Sequence, residues 1–171
     1  MGTTIFFLLL FTIGAYSREL NRVHQLEHVV ITYQNPDYLD VTIVMKKLDR
    51  KTNSVNITIN ILKEITNLEG SVIVYKFADN VYKPTALRYS GDICMFLNIF
   101  YEKHNLQQYK KLENFDVRCP IQKGSYYIRN YHEDDFPHLS FPAWKVKFEF
   151  VIRSDDRLIA TAYAIMNFMD K

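Results

Sequence analysis

The sequence lacks the short motifs that most often mark a catalytic or metal centre. Its two cysteines are not spaced as C-x-x-C, which excludes a zinc knuckle and a redox pair of that type. It contains no G-x-S-x-G elbow, no H-E-x-x-H and no glycine-rich phosphate loop, and its five histidines are scattered without neighbouring nucleophiles. We therefore expect a binding protein rather than an enzyme, with no cofactor and no metal.

The body of the chain also lacks a strong charge of either sign and a long apolar run. The formal net charge is +2, whereas nucleic-acid binding needs a clustered basic surface, so we expect no nucleic-acid partner. No segment after the N-terminus approaches the roughly 18–20 apolar residues of a membrane span.

One continuous apolar run is present, at residues 5–13, and Ala15-Tyr16-Ser17 follows it with small residues at both ends. This is the pattern of a secretory signal peptide and its cleavage site. We predict a signal peptide at residues 1–17 and a mature, secreted, extracellular single domain at residues 18–171. The alternative is a buried N-terminal strand.

Secretion gives a meaning to the two cysteines and to a sequon. In an oxidising compartment an even number of cysteines predicts a disulfide, here between Cys94 and Cys119. Asn56-Ile57-Thr58 is the chain's N-x-S/T sequon, so Asn56 is a predicted glycosylation site.

Most of the remaining chain alternates apolar and polar residues with the period of a β-strand. The clearest cases are 55–62, where apolar residues alternate with Asn56, Thr58 and Asn60, and 144–152, which begins at Trp144. About seven strands at regular spacing, with no βαβ alternation, predict an all-β protein with an immunoglobulin-like antiparallel β-sandwich. The predicted strands are 28–33, 38–47, 55–62, 71–77, 125–131, 144–152 and 158–168.

A helical insertion interrupts the strands. Ser90-Gly91-Asp92 resembles a helix start, with a serine or aspartate able to cap the first free amides. Ile93, Phe96, Leu97 and Phe100 recur at helical spacing and predict an amphipathic helix over 92–103, with a second helical piece over 106–112.

Two clusters of polar residues could be read either as metal or acid/base sites or as solvated surface residues. His24 and His28 would share a face if residues 18–28 were helical, and the acidic run 132–137 contains three neighbouring carboxylates. The histidines have no third metal ligand nearby, and the acidic run fits no EF-hand loop. We interpret both as solvated.

Residues 119–128 read C-P-I-Q-K-G-S-Y-Y-I. This segment resembles the C-P…G-x-Y segment of the ganglioside activator protein and of the insect chemosensory proteins A and B, which are ML lipid-recognition proteins or close to them. Upstream, Ile65-Thr66-Asn67, Tyr82-Lys83-Pro84 and the run 92–97 (D-I-C-M-F-L) resemble a large insect family of small secreted proteins without a defined function. Those relatives commonly carry further cysteines in the first strands, and this sequence does not.

The resemblance implies a cup-shaped β-sandwich whose two sheets part at one end to admit a lipid, a fatty acid or a cuticular hydrocarbon, in a chemosensory or pheromone setting. Burial of an acyl chain of about fourteen to sixteen carbons would supply on the order of 11–13 kcal/mol before ordering costs. The alternative is a secreted interaction protein with a filled core that acts on a membrane receptor or channel through its surface. The candidate cavity-lining residues are Ile57, Ile59, Ile61, Phe96, Phe100, Trp144, Phe148, Phe150 and Ile152.

Overall fold

The computed structural model describes residues 22–48, 52–95, 112–113, 119–132 and 142–170. Nine β-strands run through these residues, two of them additional to the seven predicted. They are β1 (Arg22–Gln34), β2 (Leu39–Lys47), β3 (Asn53–Ile61), β4 (Glu69–Ala78), β5 (Val81–Asp92), β6 (Leu112–Glu113), β7 (Gly124–His132), β8 (Lys145–Ser154) and β9 (Arg157–Asp170).

The strands form two antiparallel sheets, which confirms the predicted sandwich. The first sheet has the order β1-β9-β8-β4-β5 and the second the order β2-β3-β7-β6. Two hairpins of the first sheet, β4–β5 and β8–β9, close through two-residue turns whose residues all have positive φ. Turns of this kind match the right-handed twist of the strands they join. They are Asp79-Asn80 and Asp155-Asp156.

The core lies between the sheets because each strand turns its apolar residues to the same side. On β3 the β-branched residues Val55, Ile57, Ile59 and Ile61 are buried, while Asn56, Thr58 and Asn60 on the other face are half-buried. In the first sheet large and small side chains face each other across neighbouring strands, since Phe148 is paired with Ala164 and Phe150 with Ala162. The alanines leave room for the two rings, so both phenylalanines are fully buried.

Strand β5 corrects the sequence analysis, which predicted no strand over residues 81–92. The chain instead continues as an edge strand of twelve residues. Pro84 fits there because an edge strand needs hydrogen-bond donors on one side only. Most of β5 is exposed, so it carries little of the apolar alternation by which strands are predicted.

The predicted helical insertion is only partly within the described residues. Residues 93–95 are helical, and the Asp92 carboxylate accepts a hydrogen bond from the Met95 N–H at 3.0 Å, as a capping residue does. Residues 96–103 lie outside the described part. The second predicted helical piece is wrong at Leu112, which begins β6, and its other residues are also outside. The predicted signal peptide and residues 133–137 of the acidic run also lie outside the described residues.

Candidate functional site

The apolar space between the sheets contains most of the residues predicted to line a cavity. All six of the predicted residues on β3 and β8 point into it and are at most 2% exposed. Solvent therefore does not reach them, and in this structure their side chains close the gap between the sheets. Their role in binding a ligand stays a prediction. They are Ile57, Ile59, Ile61, Phe148, Phe150 and Ile152.

Of the other three predicted residues, Trp144 does not join this buried group. Trp144 lies just before β8, is partly exposed and packs against the edge of the core. Phe96 and Phe100 lie outside the described residues.

One end of the sandwich is sealed, and we call it the disulfide end. Cys94, just after β5, is bonded to Cys119, just before β7, with the Cα atoms 5.6 Å apart. Beside the bridge, Ile65 and Ile121 exchange two backbone hydrogen bonds of 3.0 and 2.8 Å. Both isoleucines are buried, as is Ile93. The disulfide joins the two sheets where β2 begins and β3 ends, and the bridge between Ile65 and Ile121 extends the pairing of β3 with β7 within the second sheet.

The two sheets are also linked along the side where β1 approaches β2 and β3. There the Asn53 side chain of β3 donates a hydrogen bond to the Leu26 carbonyl of β1 at 2.8 Å. This hydrogen bond lies at the opposite end of the sandwich from the disulfide, because Asn53 begins β3 and Leu26 is level with Val146 of β8.

That opposite end, which we call the tryptophan end, contains Trp144 and the last residues of β2 and β4. Apolar residues of the inner faces reach solvent here, since Ile43, Met45 and Trp144 are partly exposed while Leu39, near the disulfide on β2, is fully buried. Burial thus decreases along the inner face of β2 from the disulfide end to the tryptophan end.

Lys76 is a charged residue on the inner face at the tryptophan end. Alternation along β4 places it on the same face as the buried residues Val72 and Val74, and its neighbour on β8 is the buried Val146. Its ammonium lies 3.9 Å from the centre of the Trp144 ring. In the described part of the chain Lys76 makes no ion pair.

The outer face of the first sheet carries aromatic rings and lysines. The Lys147 ammonium lies 2.9 Å from the Glu149 carboxylate and 4.2 Å from the centre of the Tyr75 ring. The Phe77 and Tyr82 rings are 5.0 Å apart, and Phe77 is exposed. Burial raises the pKa of Tyr82 above its ordinary value of 10.0.

Lys145 lies on the same outer face and forms an ion pair with Glu27 of β1. The hydrogen bond from Lys145 to the Glu27 carboxylate raises the pKa of Lys145 above its ordinary value of 10.5, and burial opposes the shift. The pair links β8 to β1 across β9.

The outer face of the second sheet is polar and contains the sequon. The Asn56 Oδ1 atom accepts a hydrogen bond from the Asn130 N–H at 2.8 Å. Further along, the Ser125 hydroxyl donates to Asn60 Oδ1 at 2.8 Å, and Asn60 donates to Asp40 at 3.3 Å. Glycosylation of Asn56 stays a prediction.

The described residues contain no group of three or more histidine, cysteine or acidic side chains that could hold a metal ion. Four carboxylates line a cavity of about 260 Å³ at the disulfide end, from Glu69, Asp92, Asp155 and Asp156.

No helix among the described residues is long and apolar enough to cross a membrane. His28, one of the paired histidines of the sequence analysis, lies on β1, so that segment is a strand and not a helix.

Lys76 is not among the site residues predicted from the sequence. A lysine at the end of the apolar alternation of β4 is usually taken as the point where the strand reaches solvent. The signal that identifies it is strand alternation, because residues 72, 74 and 76 share one face of β4 and the first two are apolar.

The fold and these contacts define a two-sheet β-sandwich protein with an apolar interior, sealed at one end by a disulfide. Residues 69–150 match the family described as "Protein of unknown function (DUF1091)". The match contains the Tyr82-Lys83-Pro84, Asp92–Leu97 and Cys119-Pro120 motifs, and it confirms the resemblance to a family without a defined function. It covers a little under half of the chain.

Two solved structures are similar to the chain. Chicken MD-1, complexed with lipid IVa, is 16% identical, with a TM-score of 0.38 over 88% of this chain and 93% of that one. A Niemann-Pick type C2 protein from the Japanese carpenter ant is 14% identical, with a TM-score of 0.30 over 84% and 90%. At TM-scores below 0.5 neither likeness carries an argument about what this chain binds. A search of curated proteins finds no match.

Proposed function

We propose that the protein is a secreted binding protein for a hydrophobic ligand, whose apolar chain enters between the sheets at the tryptophan end. The observation that supports this is the graded burial of the inner face of β2 beside the partly exposed Trp144, whereas Val55 and Phe168 at the same end are buried. Apolar side chains are sealed at the disulfide end and reach solvent at Ile43, Met45 and Trp144. An apolar surface that continues from the core to solvent offers a ligand a path that ordinary closed cores do not.

Binding requires the sheets to separate, because the central inner-face residues fill the gap in this structure. The covalent link between the sheets lies at the disulfide end, so opening of the tryptophan end breaks the hydrogen bond of Asn53 with the Leu26 carbonyl but no covalent bond. Met45 is unbranched and flexible, and such a side chain repacks readily around an apolar guest. The burial of each ligand methylene would contribute about 0.8 kcal/mol toward the opening.

The test is displacement of a fluorescent fatty-acid probe from the secreted, oxidised protein, together with native mass spectrometry of the same preparation. We expect probe uptake in the wild type and weaker uptake in Ala162→Leu, because the larger side chain occupies space beside Phe150. The matched control is Ala86→Leu on the exposed strand β5, which should bind as the wild type does. An unliganded mass together with no probe uptake would reject the proposal.

A second candidate function is surface recognition of a receptor or channel by a protein with a filled core. The complete burial of the central inner-face residues favours it. The partly exposed aromatic and lysine residues on the outer face of the first sheet would supply the contacts. The chemosensory setting comes from the resemblance of the sequence and stays a prediction.

A further inference from the structure

We propose that the ligand is an anionic amphiphile and that the Lys76 ammonium binds its charged head group at the tryptophan end. This inference rests on the proposed function, because it places the head group at the end of the apolar path described above. It adds a substrate class, a single apolar chain with a carboxylate or another anion at one end, and a residue that selects it.

Lys76 is placed to do this by the register of the first sheet. Its neighbours on β8 and β5 are Val146 and Lys83, and its side chain shares the inner face with Val74. A ligand chain that lay against the inner face would thus carry its polar end past Lys76 as it left the core. A lysine near an apolar surface keeps its stem on that surface and its ammonium in water, which suits this position.

The ammonium of Lys76 is also available. Its partner among the described residues is the partly exposed Trp144 ring, at 3.9 Å, and a cation over a ring near the surface contributes only about 0.5–1 kcal/mol. By contrast, the ammonium of Lys83 lies 2.5 Å from the Asp79 carboxylate. A charge-assisted hydrogen bond to a ligand anion is stronger than the contact with the ring, so an anion can take its place.

The distribution of charge along the sandwich points the same way. The tryptophan end carries exposed lysines at the end of β2, Lys46 and Lys47, in addition to Lys76. Among the described residues, the disulfide end has the cavity lined by four carboxylates and the exposed Arg153 and Arg157, while at the tryptophan end Asp79 pairs with Lys83. The lysines of the tryptophan end favour an anionic group there.

The experiment compares palmitate with hexadecanol, two probes with chains of equal length, one charged and one neutral. Both are titrated into the oxidised protein below the concentration at which they form micelles, and the emission of Trp144, the chain's single tryptophan, is followed. We expect the wild type to bind palmitate about tenfold more tightly than hexadecanol, the ratio typical of one hydrogen bond to a charged group. Palmitate should also change the Trp144 emission more, since it removes the ammonium from the ring.

Lys76→Met removes the charge and keeps an apolar stem, and it should abolish the preference for palmitate while leaving hexadecanol binding unchanged. The control, Lys83→Met, removes a lysine from the same face whose charge is already paired, and it should keep the preference. Should Lys76→Met fail to fold, the salt dependence of the wild type decides, since added salt should weaken palmitate binding alone. Equal affinities for the two probes in the wild type, with no effect of salt, would overturn the anionic ligand and leave the proposed function standing. If neither probe binds, the proposed function itself fails.

Discussion

Asn56 uses only one atom of its side-chain amide to hold the fold together. Its Oδ1 accepts the N–H of Asn130, a residue with a positive φ of 48° next to the irregular pairing of β3 with β7. The Nδ2 atom, to which an N-linked sugar attaches, takes no part in that bond. The side chain lies on the polar outer face of the second sheet, where a bulky and solvated group is tolerated.

Thr58→Val should therefore abolish glycosylation of Asn56 without unfolding the protein. The change removes the sequon hydroxyl and keeps both the shape of the side chain and the bond between Asn56 and Asn130. The measurement is the mass of the protein, expressed through the secretory pathway of a host cell, before and after treatment with a glycan-releasing amidase. Thr42→Val is the matched control, because Thr42 is paired with Thr58 on the same face and its loss leaves the sequon intact. A wild-type mass equal to that of the polypeptide would contradict the prediction.

At the scale of elements, β1 and β8 are joined across β9 by the ion pair of Glu27 with Lys145. The pKa of Lys145 is raised in the folded protein, so the folded state holds this proton more tightly than the unfolded chain does. Its contribution to the free energy of unfolding is complete below pH 10.5 and is lost as the pH rises through the folded pKa. The raised pKa of Tyr82 acts with the same sign.

Glu27→Gln should accordingly lower the stability at neutral pH and flatten its alkaline decline, because the substitution removes the hydrogen bond that raises the pKa of Lys145. Urea unfolding between about pH 8 and about pH 11 measures both effects. Tyr82→Phe provides a comparison, since it removes the second contribution and keeps the ion pair. Wild-type and Glu27→Gln curves that fall in parallel would refute the role of the pair.

The strands that the sequence predicted are those with one buried face. Residues 55–61 and 146–152 alternate with few exceptions because one side of each packs in the core, and the structure confirms both faces. Strand β5 escaped prediction because most of its side chains are exposed, and Pro84 with Gly91 resembles loop sequence. Its conformation comes from pairing with β4, a contact between strands that local propensity does not contain.

The candidate site was predictable only in part for a similar reason. Alternation identified which side chains of β3 and β8 face inward, but not whether they leave a cavity. That depends on the pairing of Phe148 and Phe150 with the alanines of β9, and such pairing needs the register of the sheet. The position of Lys76 against Trp144 likewise joins residues far apart in sequence.

At the scale of the whole molecule, the disulfide joins the end of one sheet to the start of a strand in the other. Cys94 and Cys119 are twenty-five residues apart, and closure of a loop of that length should stabilise the fold by about 3 kcal/mol. The double substitution Cys94→Ala with Cys119→Ala should lower the free energy of unfolding by this amount. Urea unfolding of the oxidised wild type and of the variant tests the difference.

Mild reductant should lower the thermal midpoint of the wild type and leave that of the double variant unchanged. If reductant moved neither midpoint, the bridge would contribute nothing to stability. The bridge closes the end opposite Trp144. Without it, we also expect that a ligand can enter the double variant from the disulfide end as well as from the tryptophan end.

The pairing of β1 with β9 has a consequence for how the chain folds during its synthesis. The two strands are neighbours in the first sheet, yet the rest of the sandwich lies between them in the chain. A nascent polypeptide on the ribosome therefore holds β1 without its partner until β9 has been made. Contacts so distant in sequence form slowly, and the unpaired edge is prone to aggregate meanwhile. Production of this protein should thus depend on chaperones that shield β1 until translation has passed β9.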